Sequence, residues 1–159
     1  MSETDITTSE WLGLDWSSWV SLDPESGHLG SMPTDEGLYR VRHPVYDGLV
    51  YVGETGRSLR GRVRALARGA FADEMPYRDP HTAAPCLWAI RDRDGPAFEV
   101  SWTAPEEATD TQMRKAIEDA LIAVHRREYD QSPTANFARI IPGYKQSSYS
   151  SDGLVGGRL

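Results

Sequence analysis

EGLYRVRHPVYDGLVYVGETGRSLRGRVRALARG, Glu36–Gly69, carries the reading of the whole chain. Two apolar runs, Leu38–His43 and Leu49–Val52, flank the segment HPVYDG. Asp47-Gly48 is a strong turn signal, since Gly accepts positive φ at no steric cost, so the runs predict an antiparallel hairpin. Tyr39 and Tyr51 fall on its two strands. Side chains alternate faces along a strand, so one register brings both phenols to the same face and the same end of the sheet. Gly37 and Gly53 flank them and let backbone or ligand come close. Tyrosine is common in strands, and taken alone the pair reads as structural.

Gly53–Gly56 then turns the chain into a helix predicted from about Ser58 to Arg68, with Gly69 as its C-cap. At about 100° per residue, Leu59, Val63 and Leu66 share the face that must meet the sheet. Arg57, Arg60, Arg64 and Arg68 cluster on the opposite side, facing water. Arg62 belongs to neither group. It lies at the edge of the apolar stripe, within reach of the tyrosines, and a guanidinium held and partly desolvated there suits bidentate contact with phosphate. The outer arginines read either as long-range attraction for a polyanion or as a solvated helix face. Five arginines thus crowd Arg57–Arg68 in a chain whose net charge is -7. That balance argues against a general nucleic-acid coat protein, which needs cationic surface throughout, but leaves room for a local phosphate site.

Working outward, residues 1–8 are polar, read as disordered, and lack the pattern of a signal peptide. In SEWLGLDWSSWVSLDP, Leu12, Trp16, Trp19 and Val20 share one helical face. Thr7 with Glu10 predicts a capping box, and Pro24 lies beyond the far end. This predicts an aromatic helix in an N-terminal extension, 1–30. Its tryptophans either pack on the main core or face a partner. PESGHLGSMPTDEG and residues 69–85 read as loops, with Cys86–Ile90 a short buried segment between. Asp94-Gly95 turns the chain again. FEVSWT sets Phe98, Val100 and Trp102 against Glu99, Ser101 and Thr103, the pattern of a half-buried strand. Thr109 with Gln112 predicts the start of a long helix ending near Tyr129, with Met113, Ile117, Ala120, Leu121 and Val124 as its apolar stripe. Glu118 sits off that stripe near Ile122. A carboxylate at such a boundary is either an ordinary surface group or a ligand for a hard cation such as Mg²⁺. Asn136, after Pro133, bonds a ligand or shapes a turn. Residues 142–159 read as a flexible Gly/Ser/Tyr-rich tail. The order helix, two strands, helix, strand, helix predicts an α+β fold with a small sheet and helices packed on it.

The 159 residues amount to one main domain, and 39% hydrophobic with 26% charged residues place it among soluble globular chains. No apolar run approaches a membrane span. The lone Cys86 excludes an intrachain disulfide and a Cys/His metal cage, and reads as a small buried hydrophobe in a cytoplasmic protein.

Together these residues resemble the GIY-YIG nuclease superfamily over about residues 36–137. Gly37-Leu38-Tyr39 matches the first motif and Tyr51-Val52-Gly53 the second, with eleven residues between the tyrosines. GETGRSLRGRV is similar to the family's turn and arginine helix, IEDALI to the motif around its glutamate, and SPTANF to its Pro-x-x-Asn element. Leu38 replaces the usual isoleucine. The histidine many members carry a turn after the arginine is absent, since Arg64, Ala65 and Leu66 stand there. The resemblance implies a three-stranded antiparallel sheet flanked by helices, spanning 31–141, and hydrolysis of DNA with one Mg²⁺ or Mn²⁺ held by Glu118. It implies Tyr39 as the base for the attacking water and Tyr51 as orienting the site. It implies Arg62 as stabilising the transition state and Asn136 as securing the geometry. Gly53, Arg57, Arg60 and Arg64 would then face the substrate. Alternatives are a catalytically silent fold that binds DNA, or a subunit docked on a larger protein. A homodimer would suit double-strand cutting, since one site cuts one strand.

Overall fold

The computed structural model describes residues 5–76, 83–138, 144–150 and 153–158. Its first regular strand is β1 (Val20–Ser21), followed by β2 (Gly37–Arg42) and β3 (Tyr51–Thr55). Next come α1 (Leu59–Ala70), α2 (Ala84–Asp94), β4 (Glu99–Thr103) and α3 (Thr111–Tyr129). The main sheet is antiparallel with order β1-β4-β2-β3, so it has four strands rather than three, the fourth being the short β1. Expected hairpin and strand positions hold within a few residues, and Gly48 in their turn has φ 71°. The segment expected as a flexible tail contains two paired antiparallel strands, β5 (Tyr144–Ser150) and β6 (Gly153–Arg158). Residues 142–143, 151–152 and 159 of that tail, and residues 77–82 of the expected loop with His81, lie outside the described residues.

The sheet carries a core on each face. Tyr39, Val41 and Val100 pack against α1 and α2 through Leu59, Val63, Leu66, Leu87 and Ile90. Leu38 and Val52, on the opposite face, meet Leu121 and Ile122 of α3 together with Trp11 and Trp16. The two faces follow from the period-2 alternation of β2. Ser101 and Thr103 of β4 are buried as well, so FEVSWT is covered on both sides rather than half-buried.

α1 starts where Ser58 accepts a hydrogen bond from Gly61 N–H, and it runs through Gly69, which is buried inside the helix rather than capping it. α2 is longer than the expected buried segment. Pro85 stands in its first turn and every residue from Ala84 to Ile90 is buried. Cys86 is buried there as expected.

No α-helix forms among the described residues of the N-terminal extension. Before β1 only a single turn at Trp11–Gly13 is helical, with Leu12 at φ 55° and Gly13 at φ 70°, and the chain then runs extended into β1; short 3₁₀ turns follow at Pro24–Ser26 and His28–Ser31. Its tryptophans belong to this chain's own core: Trp11 and Trp16 are buried, and Trp19 is half-buried. Arg40 of β2, itself buried, lies between the Trp16 and Trp19 rings, its Cζ 4.4 and 4.6 Å from their centroids. It donates to the carbonyls of Ile6 and Thr8. The tryptophans were spent on a cation cage, which extended chain provides and an amphipathic helix would not.

α3 is rotated relative to its expected stripe. Asp110, not Thr109, caps it, accepting from Met113 N–H at 3.0 Å. Met113 is 49% exposed and Ala120 is exposed, while Arg114, Leu121, Ile122 and His125 are buried. Arg114 donates to Ala108 O, and His125 bridges Leu49 N–H and Gln131 O. Two satisfied polar side chains turned the helix about its axis.

Candidate active site

β3 is the free edge of the sheet, and the candidate residues gather around it from both faces. Tyr39 pairs with Gly53, and Val41 with Tyr51, so the two tyrosines lie diagonally on one face. Their ring centroids are 5.9 Å apart. Gly53 is what allows this. A Cβ there would overlap Cζ and Oη of Tyr39 and come within 2.8 Å of Tyr51 Cε2. We expect Gly53→Ala to lower stability by about 1–3 kcal/mol, since both rings must leave their packed positions. Urea denaturation reads this directly, and an unchanged midpoint would show that the rings have room to move.

Arg62 comes from α1, half-buried at the edge of its apolar stripe as its phase predicts. Its guanidinium hydrogen-bonds the Tyr39 hydroxyl, which in turn donates toward Tyr51. Burial pushes the Tyr39 phenol far up and outweighs the help from Arg62, so Tyr39 is a committed donor. Burial also raises Tyr51, followed by the charge of Glu118, while Arg62 and the bond from Tyr39 oppose the rise. Of the two phenols, Tyr51 is the one whose ionised form is favoured by its neighbour, whereas Tyr39 is favoured in ionised form only by Arg62, which burial outweighs. Arg62 Nε is buried and has no hydrogen-bond partner. Trp11 Nε1 and Arg40 Nε are likewise buried and unpaired, but of these three donors only that of Arg62 belongs to a residue lining the cleft beside Glu54.

Glu118 reaches the same edge from α3. Burial, then Glu54 and Asp119, hold its carboxyl at about 7, against the pull of Lys115 and Arg62. Glu54, the residue after Gly53, lines the cleft and lies close enough to Glu118 to raise its carboxyl, and was not among the expected site residues. Arg114 Nε contacts its Oε2 at 2.5 Å. Its alternation signal was present, since Glu54 must point to the face opposite Gly53. The Arg114 partner, sixty residues away, left no local trace.

The raised Glu118 carboxyl has a measurable consequence. Between about 4.5 and 7 the folded chain holds a proton that the unfolded chain releases. The stability this supplies is complete below 4.5 and is lost as pH rises through 7. In EDTA, Glu118→Gln is thus expected to melt at a higher temperature than the parent at pH 8, with the gap closing by pH 5. Thermal melts of the two proteins at both pH values check it.

Asn136 is buried, and its side chain brackets Val52: Oδ1 accepts from Val52 N–H and Nδ2 donates to Val52 O, both at 3.0 Å. Ala135 N–H bonds Val50 O at 2.6 Å just before it. The segment therefore covers the free edge of β3 as a short extra strand would. Asn136 sets backbone geometry between Tyr51 and Gly53.

Of the outer arginines, Arg57, Arg64 and Arg68 are exposed. Arg60 is not on the free face, because it is half-buried with Nε donating to Met32 O at 2.8 Å. Arg57 and Arg62 line a cleft of about 580 Å³ with Glu54, Thr55, Gly56, Ser58, Gly61 and Ala65. His125 and His43 serve the fold. His125 is bonded as above, and His43 is buried with Nδ1 accepting from Val45 N–H and Nε2 within 3.0 Å of Gly95 O.

Among the described residues no three metal-ligating side chains converge, and none of the helices is long and apolar enough to cross a membrane. No family model matches the chain, and neither a curated protein nor a solved structure does.

Proposed function

We propose that this chain is a divalent-metal-dependent DNA endonuclease or nickase of GIY-YIG type. The observation that carries the reading is the unpaired, buried Nε of Arg62, a residue that lines a cleft with Glu54 and interacts with two phenols and the half-buried Glu118 carboxyl. The carboxylate pair fits a hard cation that keeps most of its waters. Glu118, with Glu54 beside it, would hold Mg²⁺ or Mn²⁺, which when bound supplies Lewis-acid charge at the phosphate.

The chain's own residues do the rest. Tyr51, as phenolate, takes a proton from water, whose oxygen bonds to phosphorus. The bond from phosphorus to the leaving sugar oxygen breaks with its electron pair, and that oxygen takes a proton from solvent. Tyr39, held as phenol, donates to Tyr51 and favours its ionised form. Arg62 pairs with the phosphate oxygens as charge builds on them. Arg57 and Arg64 attract the polyanion from outside. This exchanges the roles that the family resemblance implies for the two tyrosines, and the burial of Tyr39 is the reason.

The test is plasmid nicking with Mg²⁺ or Mn²⁺ and with EDTA, alongside Glu118→Gln. Metal-dependent nicking that Glu118→Gln loses supports the proposal. Absence of nicking under every condition moves the reading to a silent DNA-binding fold, which the missing histidine after Arg62 also favours.

A further inference from the structure

Phe137 is 72% exposed, the most open large apolar side chain among the described residues. A single exposed aromatic is ordinary on a surface. This one differs in two respects. Its φ and ψ are 61° and 35°, a left-handed conformation that a bulky residue adopts only when its surroundings impose it. It also follows Asn136 directly, whose side chain is locked onto Val52 between Tyr51 and Gly53. Thr134 and Ala135 bond Leu49 O and Val50 O through their N–H groups, and Asn136 reaches Val52 of β3 through its side chain while its own N–H turns back to Pro133 O. Phe137 is therefore the residue that follows the contact of Asn136 with the edge that carries the candidate site. Its neighbour is held by two side-chain hydrogen bonds, so the ring stands on a rigid support, while Tyr39 is buried and Tyr51 half-buried.

We infer that Phe137 is a stacking platform for a nucleobase beside the scissile phosphate. The inference rests on the nuclease reading and adds a substrate class to it. A ring presented on a protein surface can stack only on a base already out of its own stack. The substrate is then DNA with an unpaired nucleotide at the cleavage site: single-stranded, frayed or bulged.

The test is anisotropy of a fluorescent single-stranded oligonucleotide and of the same sequence as intact duplex, in EDTA and in Mg²⁺. Wild type should bind the single strand more tightly. Phe137→Ala and Phe137→Gly should each bind it about tenfold more weakly, and Phe137→Trp should match wild type. Phe137→Gly should melt no lower than wild type, since Gly adopts this φ without strain, and a lower melt would assign Phe137 to the fold instead. Equal affinity of wild type and Phe137→Ala in a protein that nicks DNA would overturn this inference alone, as would preference for intact duplex. Failure of wild type to bind either form or to nick would overturn the nuclease reading with it.

Discussion

Arg62→Ala is expected to lower metal-dependent DNA cleavage by about a thousandfold, with a much smaller loss of DNA affinity. The asymmetry follows from where Arg62 sits. Its Nε is buried without a partner, so the substrate-free chain bears the cost of an unsatisfied donor. On the proposed function that cost would be recovered when phosphate oxygens arrive, and most fully when negative charge is spread over them in the transition state. The outer arginines, Arg57 and Arg64, are exposed, and on the same proposal would act on encounter at all stages alike. Removing them should change affinity and its salt dependence more than turnover. Arg62→Lys should not rescue, because an ammonium lacks the planar fork and the Nε–H. The folded state should tolerate Arg62→Ala well, since it removes a buried unpaired donor, and a thermal melt within a few degrees of wild type would confirm that cleavage was lost for chemical reasons. Cleavage at the wild-type rate would make Arg62 a structural residue and remove the centre of the proposed site.

What was legible in the sequence was what repeats with a period. Alternation placed Tyr39 and Tyr51 on one face of a hairpin, and the 3.6-residue stripe of Leu59, Val63 and Leu66 placed Arg62 at its border. The structure brings Tyr39, Tyr51 and Arg62 together as those periods require, and Glu118 of α3 joins them. What was illegible depended on partners distant in the chain. WLGLDWSSW has helical spacing, but the helix would need Leu12 and Gly13 in right-handed conformations. They adopt the left-handed one because Arg40 on β2 draws the tryptophans around itself. The phase of α3 was misread for a related reason. A hydrophobic stripe counts Arg114 and His125 as surface residues, yet Glu54, Ala108 and Leu49 supply their partners from elsewhere in the fold. Asn136 was visible as a motif residue, while its bracket on Val52 was not, since an edge strand's outward N–H and C=O carry no sequence mark.

The largest expected loss of stability is at Arg40. Arg40→Ala should cost about 3–5 kcal/mol, because it empties a fully buried volume and removes two charge-assisted hydrogen bonds and a desolvated cation–aromatic contact. Burial pushes the guanidinium pKa down to about 9, still above neutral, so it is the charged form that lies among the rings. Its bonds reach Ile6 and Thr8, more than thirty residues away in sequence, and so tie the extension to the middle of the sheet. The loss should be local at first. Without Arg40 the carbonyls of Ile6 and Thr8 have no buried donor, and the segment through Trp19 should open ahead of global unfolding. Limited proteolysis should then cut within residues 5–20 of the variant at a protease level that spares wild type. Arg40→Met separates the causes. It restores most of the volume and removes the cost of burying a charge, so a stability near wild type would mean that packing dominates. A loss close to that of Arg40→Ala would mean that the two carbonyl bonds and the ring contacts hold the extension. Arg40 alternates with Tyr39 on β2, so an extension released from one face leaves the tyrosine on the other face less well supported. Cleavage by Arg40→Ala should therefore fall by a larger factor as temperature rises, while Arg62→Ala stays equally impaired at every temperature.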